Sequence, residues 1–165
     1  DNDGTIYQTI DMQHGCWHAG SERANRASVG VEISNAYYPK YQEWYVRNGY
    51  GERPMIEGVR CQGEELDPFM GFYPVQIKAL KQLWKAIHQG LNLPYKGPLN
   101  QFGNIATKYV QDVKYGDFRG FVSHYHVSKN KIDCAGLDIK TLLEEVEEEE
   151  ESGYSSASAV CEDDS

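Results

Sequence analysis

Apolar positions along this chain recur with two different periods, and each change of period marks an element. Over PVQIKALKQLWKAIHQGL, residues Ile77, Leu80, Trp84, Ile87 and Leu91 fall three to four apart and so line one face of a helix. Pro74 stands near its first turn, where a missing N–H costs little, and Gly90 offers a stop. A second helical run, Ile139, Leu142, Leu143 and Val146, follows Asp138, whose carboxylate suits the N-cap. ASVGVEIS, Ala27 to Ser34, alternates instead. Val29, Val31 and Ile33 share one face while Gly30 and Glu32 share the other, the pattern of a half-buried strand. DNDGTIYQTID sets a tight-turn signal ahead of Ile6, Tyr7, Thr9 and Ile10, which predicts a turn leading into a strand. A strand to pair across that turn is missing from the sequence. Gly120 to Val122 reads as a short strand delivering Ser123 and His124, with a short helix expected around Asn104 to Tyr109.

Between these elements the pattern lapses. Residues 37–72 are dense in tyrosine, glycine, proline and charge and keep no period, as in an insertion whose tyrosines are expected to widen a substrate groove.

At 165 residues the chain is sized for a single domain. Its formal charge of -9 is misleading, because ten acidic and no basic residues lie in Glu144 to Ser165. The remainder carries 16 basic against 15 acidic residues, a balance that gives no footprint for nucleic acid. Residues 147–165 are expected to form an acidic, disordered tail after a domain over 1–146. Cys16, Cys61, Cys134 and Cys161 show no paired spacing, so no disulfide framework is indicated. No apolar run approaches the roughly 18 residues of a membrane span.

The densest chemistry is SHYHVSKNKIDCAG, Ser123 to Gly136, which holds two histidines, two lysines, an aspartate and a cysteine. Either it holds a metal or it is a polar turn that happens to be rich in ligands. Taken in order, DGTIYQ, CWHAG, SVGVEIS, YPVQIKALKQLW and SHYHVSKNKIDCAG resemble the zinc-dependent N-acetylmuramoyl-L-alanine amidases of type 2. That family includes phage endolysins and the peptidoglycan recognition proteins, and the resemblance extends over Asp1 to Val146.

The resemblance implies an α/β fold, a mixed central sheet flanked by helices, with a zinc cleft on one face. His124 and Asp133 match metal ligands, with Cys134 the rival to Asp133; His126, two residues on and facing the other way along a strand, reads either as a support behind the ligands or as structural. Glu32 matches the general base of one branch of the family, against the alternative of a solvent-facing acid. Lys131 matches a catalytic lysine able to face an oxyanion. Trp17, His18 and Asn25 match the wall of the substrate cleft, against the alternative of a core tryptophan with its histidine satisfied locally.

The implied activity is zinc-dependent hydrolysis of the amide between N-acetylmuramic acid and L-alanine in peptidoglycan. Such a lysin would be made in a bacterial host's cytoplasm or carried in a virion, and would act on the cell wall. A family member, however, takes its first metal histidine from a strand well ahead of the DGTIYQ turn. Three explanations are open. The chain begins upstream of Asp1, as its start without methionine inside a turn favours; a separate polypeptide docks to supply the ligand; or the metal is lost, with His14 or His18 substituting or nothing doing so. A non-catalytic peptidoglycan-binding module of the same fold is the rival function.

Overall fold

The structure, a computed structural model, describes residues 1–159. Its helices are α1 (Glu22–Ala27), α2 (Gln42–Arg47), α3 (Pro74–Leu91), α4 (Gln111–Tyr115), α5 (His124–Val127) and α6 (Ile139–Ala159), with a 3-10 turn at Pro39–Tyr41. The strands are four two-residue pieces, β1 (Met55–Ile56), β2 (Arg60–Cys61), β3 (Glu64–Glu65) and β4 (Phe69–Met70). β1 pairs antiparallel with β4, and β2 with β3.

The two long helices form where the 3.6-residue period placed them. Pro74 occupies the first turn of α3, and the helix ends at Asn92, whose φ of 52° is left-handed. Asp138 caps α6: its carboxylate accepts from the Thr141 N–H at 3.1 Å and the Thr141 hydroxyl at 2.9 Å. Leu80 and Trp84 of α3 meet Ile139, Leu142 and Leu143 of α6, and Phe121 fills the space between, its ring 5.0 Å from that of Trp84. Burying a side chain of this size contributes about 1.5–3 kcal/mol, so this contact is the centre of the fold.

Four expectations are corrected. The acidic stretch from Glu147, expected to be disordered, continues α6 as far as Ala159. Lys81 holds Glu145 at 3.1 Å and Glu149 at 2.6 Å, and Lys85 holds Glu149 at 2.5 Å. Gln89 and Tyr95 bind Glu150. The charges that would repel one another in isolation are met by partners on and after α3, and residues 160–165 of the expected tail lie outside the described residues.

Second, the central sheet appears only as the two small ladders. Residues 6–10 and 28–34 run without regular secondary structure and enter no ladder, because no strand lies alongside them to pair with. Mixed helix with small sheets remains compatible with the α/β class. Third, residues 120–122 form no strand; Phe121 donates instead to the Lys96 carbonyl at 2.9 Å. Fourth, residues 104–109 form no helix; Ile105 makes an antiparallel bridge with Leu99, and the next helix, α4, begins at Gln111.

The insertion is ordered around Tyr45, Met70 and Tyr73. The buried guanidinium of Arg53 lies 4.3 Å from the ring centres of both Tyr45 and Tyr73. It donates to the carbonyls of Gly71 and Ser34, to Gln76 Oε1 and to Asn2. One side chain thus ties the insertion to the N-terminal turn, the 28–34 segment and α3. Aromatic faces and carbonyl dipoles stand in for a carboxylate partner.

Candidate functional site

The Ser123–Gly136 stretch folds back on itself through short-range hydrogen bonds. Ser123 precedes α5, and its hydroxyl donates to the Asp133 carbonyl at 2.9 Å and accepts from the Cys134 N–H at 2.6 Å. The Tyr125 N–H donates to the same Asp133 carbonyl at 3.1 Å. The two ends of the segment are therefore held together, and His124 is brought to Asp133. His124 Nδ1 lies 2.8 Å from Asp133 Oδ2, a charge-assisted contact on a partly exposed face.

His126 is turned inward and fully buried. Its Nδ1 accepts from the Ser123 N–H at 2.9 Å, and its Nε2 donates to the Ala106 carbonyl at 2.6 Å. Both ring nitrogens are used by the neutral form, and burial lowers its pKa to about 4. It is the structural histidine that the sequence register implied.

Cys134 follows Asp133 directly. Burial pushes its thiol up to about 11, with the carboxylates of Asp133 and, more weakly, Glu32 adding to the rise. Glu32 is exposed and lines a groove formed with residues 4–12. Lys131 is exposed on the loop between α5 and Asp133.

Trp17 is 85% exposed, free to meet a ligand. His18 is tied down: Nδ1 lies 3.0 Å from the Cys16 carbonyl and Nε2 lies 2.8 Å from the Ser28 hydroxyl, which donates to the Ala24 carbonyl at 2.6 Å. Its ring lies against Gly30, where any Cβ would come within 2.7 Å of it, which explains a glycine in an otherwise β-branched run. Asn25 is buried, and its Oδ1 accepts from the N–H groups of His18 and Ala19 at 3.1 and 2.7 Å. Asn25 and His18 thus shape the loop that displays Trp17, and Asn25 Nδ2 has no partner among the described residues.

A residue that the sequence reading missed is Gln62, at the β2–β3 turn. Its Nε2 donates to the carbonyls of Tyr125 (2.8 Å), Ser128 (3.0 Å) and Lys131 (3.3 Å), and its Oε1 accepts from the Tyr109 N–H at 3.1 Å. The insertion therefore reaches over and straps the loop that carries Lys131. Only its position beside a turn glycine, Gly63, hinted that it sits at a hairpin tip. Phe69 of β4 adds a second contact, packing against Gly136.

A catalytic zinc site takes three protein ligands and keeps one position open. His124 and Asp133 offer one imidazole nitrogen and one carboxylate oxygen. Among the described residues, no group of three or more His, Cys, Asp or Glu side chains is placed to hold a metal ion. The donors present fit part of a zinc site and do not complete one. His14 and His18 are not joined to the pair, so neither substitutes for the absent ligand.

No curated protein and no solved structure matches the chain. The family model for N-acetylmuramoyl-L-alanine amidase matches residues 1–136, a span that includes the N-terminal turn, the Glu32 segment, α3 and the whole His124–Asp133 turn. On that match the chain belongs to the N-acetylmuramoyl-L-alanine amidase family.

Proposed function

We propose that this chain hydrolyses the amide between the lactyl group of N-acetylmuramic acid and L-alanine in peptidoglycan, and that it acts at the cell wall as a phage or bacterial lysin. The observation that carries the reading is the 2.8 Å contact of His124 with Asp133 inside the family-matched span.

In this reading Glu32 takes the proton of the attacking water. The Lys131 ammonium faces the oxyanion that forms as the carbonyl is attacked, and the alanine amine leaves protonated. Trp17 offers an apolar face to the muropeptide. Zinc is the cofactor that the family resemblance implies, and it would supply a Lewis acid. His124 and Asp133 would be two of its donors.

The second reading, a module that binds peptidoglycan without cleaving it, is favoured by that same incomplete donor set. Mass spectrometry of peptidoglycan incubated with the chain and zinc separates the two. New alanine amino ends and free lactyl carboxylates, lost in Glu32→Gln, support the amidase. Retained binding to cell-wall material with no new ends supports the module.

A further inference from the structure

A separate hollow of about 140 Å³ is lined by none of His124, Lys131 and Asp133. Its wall is apolar, built from Val59 and Cys61 of the insertion, Ile105, and Leu137 and Ile139 around the start of α6. Tyr125 lines it as well. That residue is 6% exposed, and its hydroxyl has no hydrogen-bond partner among the described residues. A buried phenol ordinarily finds a partner inside the protein, so this one is left for a ligand. Two exposed, ionised side chains stand at the rim, Arg60 of β2 and Asp138 ahead of α6. Arg60 gives one N–H to the Gly63 carbonyl at 2.8 Å and enters no ion pair among the described residues. Asp138 binds the Thr141 N–H with one oxygen and the Thr141 hydroxyl with the other, which leaves each oxygen able to accept once more. Opposite charges that do not meet each other thus flank one apolar hollow.

We infer that this hollow binds a free α-amino acid with a short aliphatic side chain. Its carboxylate lies on Arg60, with the Tyr125 hydroxyl as a further donor, its ammonium lies on Asp138, and its side chain lies against Ile105 and Leu137. The charges select this class. A plain acid would leave Asp138 facing a like charge, and a plain amine would leave Arg60 unpaired and facing a like charge; a zwitterion answers both. Size agrees, since a cavity of about 150 Å³ holds benzene. The aliphatic part of valine therefore fits, with its two charged groups at the rim.

Binding here is read without any activity assay, so the inference stands or falls apart from the amidase. The test titrates L-valine into the full chain and follows its backbone N–H groups by heteronuclear NMR. Saturable shifts are expected at 59–61, 105–107 and 135–139. Isobutylamine, which lacks the carboxylate, and isovalerate, which lacks the ammonium, should each bind at least about tenfold more weakly than valine. Arg60→Gln should weaken valine at least about tenfold and leave isobutylamine unchanged. Asp138→Asn, which keeps a good N-cap for α6, should weaken valine and leave isovalerate unchanged. Shifts that do not saturate, or that fall away from these residues, overturn the inference. So does binding of either analogue as tight as that of valine, or valine bound by both variants as tightly as by the unmodified chain.

Discussion

Acid should destabilise this protein through one histidine. His126 accepts a hydrogen bond from the Ser123 N–H at Nδ1, so a proton added there would point at an N–H group that is already a donor. Its Nε2 is committed to the Ala106 carbonyl, and the ring is fully buried. Burial accordingly lowers its pKa from 6.5 to about 4. Because the unfolded chain binds this proton more readily than the folded one, the contribution is complete above about pH 6.5. It falls away as pH drops toward about 4. At about 1.4 kcal/mol for each tenfold difference in proton affinity, the loss is about 3 kcal/mol, a large share of the 5–15 kcal/mol typical of a domain.

Urea unfolding followed by tryptophan fluorescence across that pH window measures it. His126→Gln, which does not titrate, removes the slope due to this residue, and the difference between the two profiles isolates it from the carboxylates. Parallel profiles for the two proteins would refute the reasoning. Since Ser123 is the residue His126 holds, hydrogen exchange at 123–127 should rise in the same window.

Gln62→Ala removes the amide that binds three carbonyls of the 125–131 loop. It should cost about 1–3 kcal/mol in urea unfolding, and peptidoglycan cleavage should fall further than the folded fraction does. Glu149 is held well below the usual carboxylate range, at about 2, by Lys81 and then Lys85. Its contribution is present above about pH 4.5 and lost as pH falls toward 2. Because the bridge is partly exposed, Glu149→Gln should lower stability by less than about 1 kcal/mol in calorimetry, and salt should erase the difference. Trp17→Ala should leave the melting temperature unchanged, because the indole is exposed, while weakening cosedimentation with peptidoglycan. His18→Ala should lower the melting temperature, by freeing the Cys16–Ala19 loop from Ser28, and should weaken cosedimentation as well.

The long helices were legible because their information is local: spacing at Ile77 to Leu91 and the cap at Asp138 need no distant residue. The joining of His124 to Asp133 was legible too, since the segment's own hydrogen bonds bring its ends together. What escaped depends on contacts far along the chain. The two-residue strands of the insertion carry no period, and pairings such as Met55 with Met70 define them. The glutamates of α6 read as a repelling run until Lys81, Lys85, Gln89 and Tyr95 are seen opposite. Gln62 looks like any turn glutamine until the loop it straps is in place. Residues 28–34 alternate in sequence as a strand would but form none, because alternation alone does not supply a neighbour to pair with. For His18 and Asn25, the match to a cleft wall did not reveal that their polar groups are spent on neighbouring backbone and Ser28.

The central claim, that the His124–Asp133 turn and Glu32 make an amide-cleaving site, is tested most directly by the products of peptidoglycan digestion in the presence of zinc. Mass spectrometry should find stem peptides with a free alanine amino end and muramic acid with a free lactyl carboxylate. Their rate of appearance should drop at least about a hundredfold in Glu32→Gln and in His124→Ala, while both variants stay folded. Products from any other bond, or unchanged release in either variant, would contradict the account.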